Sequence, residues 1–211
     1  MNKVKFAACL IAATTFAGAT TAFGGNSTTL SMGFGVQYWD TKDLDTFDED
    51  GLWGANIITR VMPSDIVGFE FRFGGSGVWK DKTYRYDGKK YETDATFSCC
   101  PLEAGLVLML PIDQRLSLYG GAGGGYYIYD IDIKTTSKHG HHYHTERSRH
   151  ISLDNDFGWY GVAGLKVKLG SSVSLFAEAR YTDTETTVKH DDERKFDCSG
   201  VGAQAGLMFD F

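Results

Sequence analysis

The chain has 211 residues, with 27 acidic side chains against 21 basic ones and a formal charge of −6 when histidine is neutral. That balance supplies no basic patch for nucleic acid. Twenty-six glycines, three prolines and 14% aromatics argue against a disordered chain and for an all-β one rich in turns and tight packing.

Lys3 and Lys5 precede an uncharged, alanine-rich apolar stretch from Phe6 to Ala19, and small residues follow at Thr20-Thr21-Ala22-Phe23-Gly24. This is the order of a secretory signal peptide. It assigns residues 1–22 to the signal and 23–211 to the mature domain, with cleavage after Gly24 fitting the small-residue rule as well as cleavage after Ala22. The run is shorter than the roughly 20 residues a spanning helix needs. No other apolar run approaches that length, so membrane insertion has to use strands.

From there the organising signal is a two-residue alternation. Leu30, Met32, Phe34, Val36 and Tyr38 alternate with Ser31, Gly33, Gly35, Gln37 and Trp39. A second strand, Leu52 to Met62, sets Trp53, Ala55, Ile57, Thr59 and Val61 against Gly54, Asn56, Ile58 and Arg60. After Pro63-Ser64-Asp65 a third sets Val67, Phe69, Phe71 and Phe73 against Gly68, Glu70, Arg72 and Gly74. The fourth carries Leu102, Ala104, Leu106, Leu108 and Leu110 against Glu103, Gly105, Val107 and Met109. The fifth climbs from Arg115 to Ile128, its pattern blurred by Gly120-Gly121 and Gly123-Gly124-Gly125. Phe157–Leu169, Val173–Tyr181 and Val201–Phe211 complete a set of eight. Turns near Pro63, Pro111 and Gly170 are short, whereas 40–51, 76–95, 131–155 and 182–198 are long and polar. The pattern predicts an eight-stranded antiparallel up-and-down transmembrane β-barrel, with short periplasmic turns, long extracellular loops and both termini periplasmic.

Volume decides which face points outward. A barrel of this strand number has an interior just wide enough for side chains or one small ligand. The face bearing Phe34, Tyr38, Trp53, Phe69, Phe71, Phe73, Tyr126, Phe157, Trp159, Tyr181, Phe209 and Phe211 is too bulky for it and must meet lipid. No Asp, Glu, Lys or Arg interrupts that face, as hydrocarbon requires. The opposite face, with its glycines and Asn56, Arg60, Glu70, Arg72, Glu103, Glu178, Arg180 and Gln204, suits a narrow interior.

The last residues, Gln204-x-Gly206-x-x-Phe209-x-Phe211, resemble the C-terminal targeting signature of bacterial outer-membrane proteins, which implies recognition by the barrel-assembly machinery. The layout of the mature chain resembles the small eight-stranded barrels typified by the OmpA membrane domain, OmpX and the opacity-type surface proteins. That resemblance is architectural and poor in motifs.

Asn56, Glu70, Arg72, Glu103, Glu178, Arg180 and Gln204 fall at similar mid-barrel heights, so one internal network is expected, with the glutamates interleaving between Arg72 and Arg180. Buried charges persist only when paired and hydrogen-bonded. The network serves as a rigid plug, favoured by the small lumen, or as the gate of a narrow pore for small solutes. His139, His141, His142 and His144 have a spacing that suits Zn²⁺, Cu²⁺ or Ni²⁺, set against the reading of a solvated polar loop. No other cofactor is expected. No catalytic set emerges: His150-Ile151-Ser152 resembles the His-x-Ser pair of lipid A deacylases in spacing alone. Cys99 and Cys198 lie inward near the rim on strands across the barrel, so a bond between them requires the connections to fold in, because a disulfide needs Cα atoms within about 7 Å. The partners expected are outer-membrane lipid, lipopolysaccharide and an extracellular ligand of the charged loops. The function expected is that of a surface protein whose barrel anchors those loops for structural, adhesive or partner-binding roles.

Overall fold

Period-two alternation yields strands here because each face has a different environment to satisfy. A computed structural model describes residues 28–42, 51–86, 89–139, 142–188 and 191–211; the segment expected to be a signal peptide and the acidic stretch 43–50 lie outside them. The strands are β1 (Thr29–Thr41), β2 (Leu52–Met62), β3 (Val67–Tyr86), β4 (Lys89–Pro111), β5 (Leu116–His139), β6 (His142–Ser152), β7 (Asp156–Lys168), β8 (Val173–Asp183), β9 (Glu185–Val188), β10 (Asp191–Asp197) and β11 (Gly200–Asp210). Eight of them close an antiparallel ring in the order β1-β2-β3-β4-β5-β7-β8-β11, with β11 returning to β1. Closure leaves the ring without an edge, so its backbone donors and acceptors are paired between neighbours.

The short turns are built by side chains that stand in for ladder partners. Ser64 Oγ accepts from the Val67 N–H at 3.0 Å, and Asp113 Oδ1 accepts from the Arg115 and Leu116 N–H groups at 2.6 and 2.7 Å. Such local capping by Ser and Asp lets the chain reverse in a few residues. At the third turn the Leu169 N–H donates to the Val173 carbonyl at 2.8 Å.

Outward positions carry the apolar side chains. Phe34, Trp53, Phe69, Leu106, Leu108, Phe157 and Trp159 are all exposed, a surface that only lipid tolerates on this scale. Aromatic rings meet toward the long-connection end of the wall: Tyr38 with Trp53 at 5.1 Å between centroids, Tyr126 with Phe157 at 4.9 Å, and Trp159 with Tyr181 at 5.4 Å. This is one girdle of a membrane barrel.

Two of the expected long loops are not loops. Residues 76–86, 89–95, 131–139 and 142–152 continue as strand, so that β3 and β4 pair as far as Tyr86 opposite Lys89, and β5 pairs with β6 as far as His139 opposite His142. Because β4 also pairs with β5 up to Lys90 opposite Lys138, the four strands form one sheet projecting beyond the girdle. The roughly ten residues of β4 between Lys89 and Cys99 correspond to about 35 Å of strand. The physical reason is composition: these segments are rich in Thr, Tyr and Ile, which favour a pleated surface, and β5 presents β4 and β6 with a continuous template. The fourth connection likewise folds into the hairpin β9–β10.

One lapse in the ring is chemical. The β3–β4 bridges run to Phe73 opposite Leu102 and resume at Ser76 opposite Cys99. Pro101 lies in the gap and has no N–H to donate, while its pairing with Tyr127 on β5 is kept.

Candidate functional site: a filled lumen and a projecting sheet

The inward side chains form layers rather than a uniformly small and polar filling. At the short-turn end Lys166 Nζ donates to both carboxylate oxygens of Asp210 at 2.6 and 2.9 Å, and Ser31 Oγ donates to the same carboxylate at 2.6 Å. Met62, Val107 and Tyr119 pack together nearby, and Ile58, Phe176 and Met208 form a second apolar cluster.

The centre is ionic. Arg60 Nε donates to Glu70 at 2.6 Å, Arg72 donates to Glu70 and in a two-toothed manner to Glu178, one limb at 2.8 Å, and Arg180 donates to Glu103. Tyr119 OH donates to Glu178 at 2.7 Å and Tyr127 OH to Glu103 at 2.6 Å. Arg60 lies 4.0 Å from the centre of the Tyr119 ring, and Tyr160 receives Arg72 and Arg180 at 5.7 and 5.3 Å, distances at which a ring face attracts a cation. The guanidiniums of Arg60, Arg72 and Arg180 are balanced by the carboxylates of Glu70, Glu103 and Glu178, so the layer is neutral.

Beside it runs an amide chain. Asn56 Nδ2 donates to Gln37 at 2.8 Å and also to Gln204, which donates back to Asn56 at 2.6 Å, and Gln37 Nε2 donates to Ser76 at 2.5 Å. One space, against Gln37, Trp39, Pro101, Arg180 and Gln204, measures about 10 Å³, no more than the roughly 10–15 Å³ that a single water needs; a larger one of about 610 Å³ touches Arg72 and Glu103 but is otherwise lined mainly by the outward Phe71, Phe73, Tyr126 and Phe157.

Toward the long connections the lumen turns apolar. Trp39, Leu52, Val78, Phe97, Cys99, Tyr127, Tyr129, Ile131, Leu153 and Cys198 form one buried cluster. No disulfide joins Cys99, Cys100 and Cys198. Cys198 reaches the cluster that holds Cys99 because the segment after β10 folds over the mouth, its N–H held by the Thr184 carbonyl at 3.0 Å.

Asn56, Glu70, Arg72, Glu103, Glu178, Arg180 and Gln204 thus all enter contacts inside the ring. Arg60, expected on the inward face but not in the network, joins them, as do Gln37, Ser76, Tyr119, Tyr127 and Tyr160. For Arg60 parity was a sufficient signal, since it shares the inward face with Asn56; for the tyrosines of β5 the glycine run hid the alternation. Large rings fit because glycines face them: a Cβ on Gly164 would stand 2.6 Å from Tyr119 Cζ, and one on Gly105 2.6 Å from the Tyr160 hydroxyl. Of the terminal residues, Gln204 lies in the amide chain. Gly206 faces Gly35 across the β1–β11 ladder. The Phe209 ring packs edge-on to Phe34 at 6.4 Å, and Phe211 is exposed.

His139, His142, His144 and His150 lie in the projecting sheet. The register places His139 opposite His142, Ser137 opposite His144, and Asp132 opposite His150; His141 and His190 lie outside the described residues. Among the residues whose side chains are described, no group of three His, Cys, Asp or Glu is arranged to hold a metal ion.

Outside the membrane zone, Lys42 Nζ bonds Asp197 at 3.0 Å. The hydrogen bond to Asp197 and its charge raise the Lys42 ammonium above its ordinary value, and hydrogen bonds from Ser199 and Lys42 lower the Asp197 carboxyl.

Solved structures with this architecture include Ail, the attachment invasion locus protein of Yersinia pestis (17% identity, 87% of this chain and 97% of that one, TM-score 0.48). Neisserial surface protein A aligns at 12% identity over 89% of this chain and all of its own, TM-score 0.48, and Acinetobacter baumannii CarO at 14% over 85% and 97%, TM-score 0.44. No curated protein sequence matches the chain. The model of the outer membrane protein β-barrel domain matches residues 6–210. With its closed eight-stranded ring, lipid-facing aromatic belt and filled interior, the chain belongs to that family and to the bacterial outer membrane.

Proposed function

We propose that the protein is a surface-displayed structural or interaction module, in which a plugged barrel anchors extracellular strands and connections for a partner, with both termini in the periplasm. The observation that carries this reading is the contrast between its two ends. The short turns close within a few residues, while β3, β4, β5 and β6 continue as a sheet well beyond the aromatic girdle. A lumen whose cations and anions cancel, and whose upper end is packed with Trp39, Phe97, Tyr127 and Tyr129, supports a plug over a solute pathway.

Two measurements on the full chain test it. Thr83→Cys, at an exposed position on β3, is expected to react with a membrane-impermeant maleimide on intact cells, and the purified protein is expected to show no resolved single-channel steps in planar bilayers. Protection of the introduced thiol until cells are lysed would reverse the orientation. Discrete conductance that changes in Glu103→Ala would replace the plug with a gate.

A further inference from the structure

We propose that a furrow along β5, on the lipid-facing wall of the barrel, holds one acyl chain of lipopolysaccharide. Its upper end is the cavity of about 610 Å³ bordered by Phe71, Phe73, Tyr126 and Phe157. The ladders draw the rest of its outline. Gly120, Ala122 and Gly124 are successive outward positions of β5 and span about 14 Å. On the β4 side they stand opposite Leu108, Leu106 and Ala104, and on the β7 side Gly124 stands opposite Trp159. Tyr126 and Phe157, with ring centroids 4.9 Å apart, close the head of the furrow at the girdle.

Glycines on the two faces of β5 answer to different neighbours. A Cβ on the inward Gly121, Gly123 or Gly125 would stand 2.8, 2.2 or 2.7 Å from the nearest atom of the barrel. One on the outward Gly120 or Gly124 meets nothing nearer than 3.6 Å, and neither backbone is left-handed. Gly161, the outward neighbour of Ala122 on β7, is equally open at 3.9 Å. Neither packing nor backbone conformation within the barrel therefore asks for glycine on the outward face. Glycine weakens a strand and marks places where another group comes close. On a wall that faces hydrocarbon, that group is lipid.

The dimensions select a single chain over a second barrel. The exposed Leu106 and Leu108 on β4 and Trp159 on β7 rise on either side of β5, two inter-strand spacings or about 10 Å apart. An acyl chain enters a slot of that width, whereas a convex barrel wall rests on its rims. The cavity is apolar apart from the Thr59 and Tyr126 hydroxyls; the side chains of Arg72 and Glu103, which also border it, are bonded inside the ring. Its head lies at the girdle beside the long connections, the level of lipid headgroups. In the orientation proposed above this is the outer leaflet, and the choice of lipopolysaccharide over phospholipid rests on that reading.

Native mass spectrometry of the full-length protein in detergent micelles, with rough-type lipopolysaccharide or phosphatidylethanolamine added, tests the proposal. One lipopolysaccharide per chain is expected to survive removal of the detergent, and to be lost in Gly124→Leu and in Ala104→Leu, which fill the floor. Ala203→Leu, at an exposed outward position on β11 elsewhere in the ring, is expected to retain it. Heat-modifiable mobility on denaturing gels shows whether each variant has closed its barrel. No lipopolysaccharide on the wild type, retention in both filled variants, or equal loss in Ala203→Leu overturns the site. Retention of phosphatidylethanolamine in its place, lost when the floor is filled, overturns the choice of lipid. Labelling of Thr83→Cys on intact cells then separates the two causes: a protected thiol means that the orientation has failed, and a labelled one that the orientation stands and the lipid assignment alone is wrong.

Discussion

Glu178 is the side chain on which most of the ionic layer converges, and replacing it isolates the electrostatic contribution. In Glu178→Gln the shape is kept and one charge is removed. Arg72 loses its two-toothed partner, Tyr119 OH faces an amide, and Arg60, whose Nη2 lies 3.6 Å from Glu178 Oε2, retains Glu70 alone. The layer passes from three cations against three anions to three against two. At an effective dielectric near 20, a pair about 4 Å apart interacts by roughly 4 kcal/mol; removing one member of a buried pair characteristically costs about 3–5 kcal/mol. A loss of about 3–5 kcal/mol in urea unfolding from lipid vesicles, followed by tryptophan fluorescence, is therefore expected. The double variant Glu178→Gln/Arg72→Met, which restores neutrality with a side chain of similar length, is expected to recover at least about half of it, since neutral replacements of buried ion pairs are frequently well tolerated. A single variant within about 1 kcal/mol of wild type would show that water screens the layer, and the plug would lose its energetic basis. A double variant no better than the single would mean that the hydrogen bonds, and not the charges, hold the layer.

Two further outcomes follow from the geometry. Gly164→Ala places a methyl 2.6 Å from Tyr119 Cζ, so the ring must move from Glu178; destabilisation of about 1–3 kcal/mol is expected in the same assay, and Gly164→Ala/Tyr119→Leu is expected to recover part of it. The Lys42–Asp197 pair joins the end of β1 to the segment before β11, alongside the Lys42 N–H to Ser199 carbonyl bond of 3.1 Å. Because the Asp197 carboxyl is lowered, its contribution is present above about pH 3.9 and is lost as pH falls through the folded value. Because the Lys42 ammonium is raised, its contribution is present below about pH 10.4 and is lost as pH rises through the folded value. Amide exchange at Lys42, corrected for intrinsic rates, is expected to be slowest between those limits; an exchange ratio to Lys42→Met that does not change with pH would dismiss the tether.

The eight ring strands were legible because lipid and lumen impose opposite demands on alternate residues, and β3 from Val67 to Phe73 shows this most plainly. Where both faces of a strand meet polar surroundings, that contrast vanishes. Lys80 to Tyr86 and Thr93 to Ser98 hold charged, hydroxyl and aromatic residues at both parities, so their pairing depends on β-propensity and on the neighbouring strand, neither of which has a period. Pro101 and the adjacent cysteines hid the continuity of β4 in another way: proline reads as a strand boundary, yet here it costs bridges to β3 while the ladder to β5 runs on. In the lumen, parity assigned Trp39 and Ile58 inward, and the structure adds Phe176 and Met208. Their sum as layered clusters was not visible, because it depends on which glycine each ring faces inside the barrel, as the Phe176 ring tip lies 3.0 Å from where a Cβ on Gly35 would stand.

Those glycines explain how one narrow ring holds both an ionic core and apolar caps. A barrel of this strand number leaves little volume, so each large inward side chain needs a small neighbour, and the glycines of β1, β4, β5 and β7 supply it. Packing at this density also excludes water, and exclusion of water is what makes charge cancellation in the layer below a requirement and not an accident. The apolar cluster from Trp39 to Cys198 accordingly acts on the ion pairs at a distance: opening it, for instance with Phe97→Ala, would admit solvent to Glu103 and Arg180 before it touched either of them.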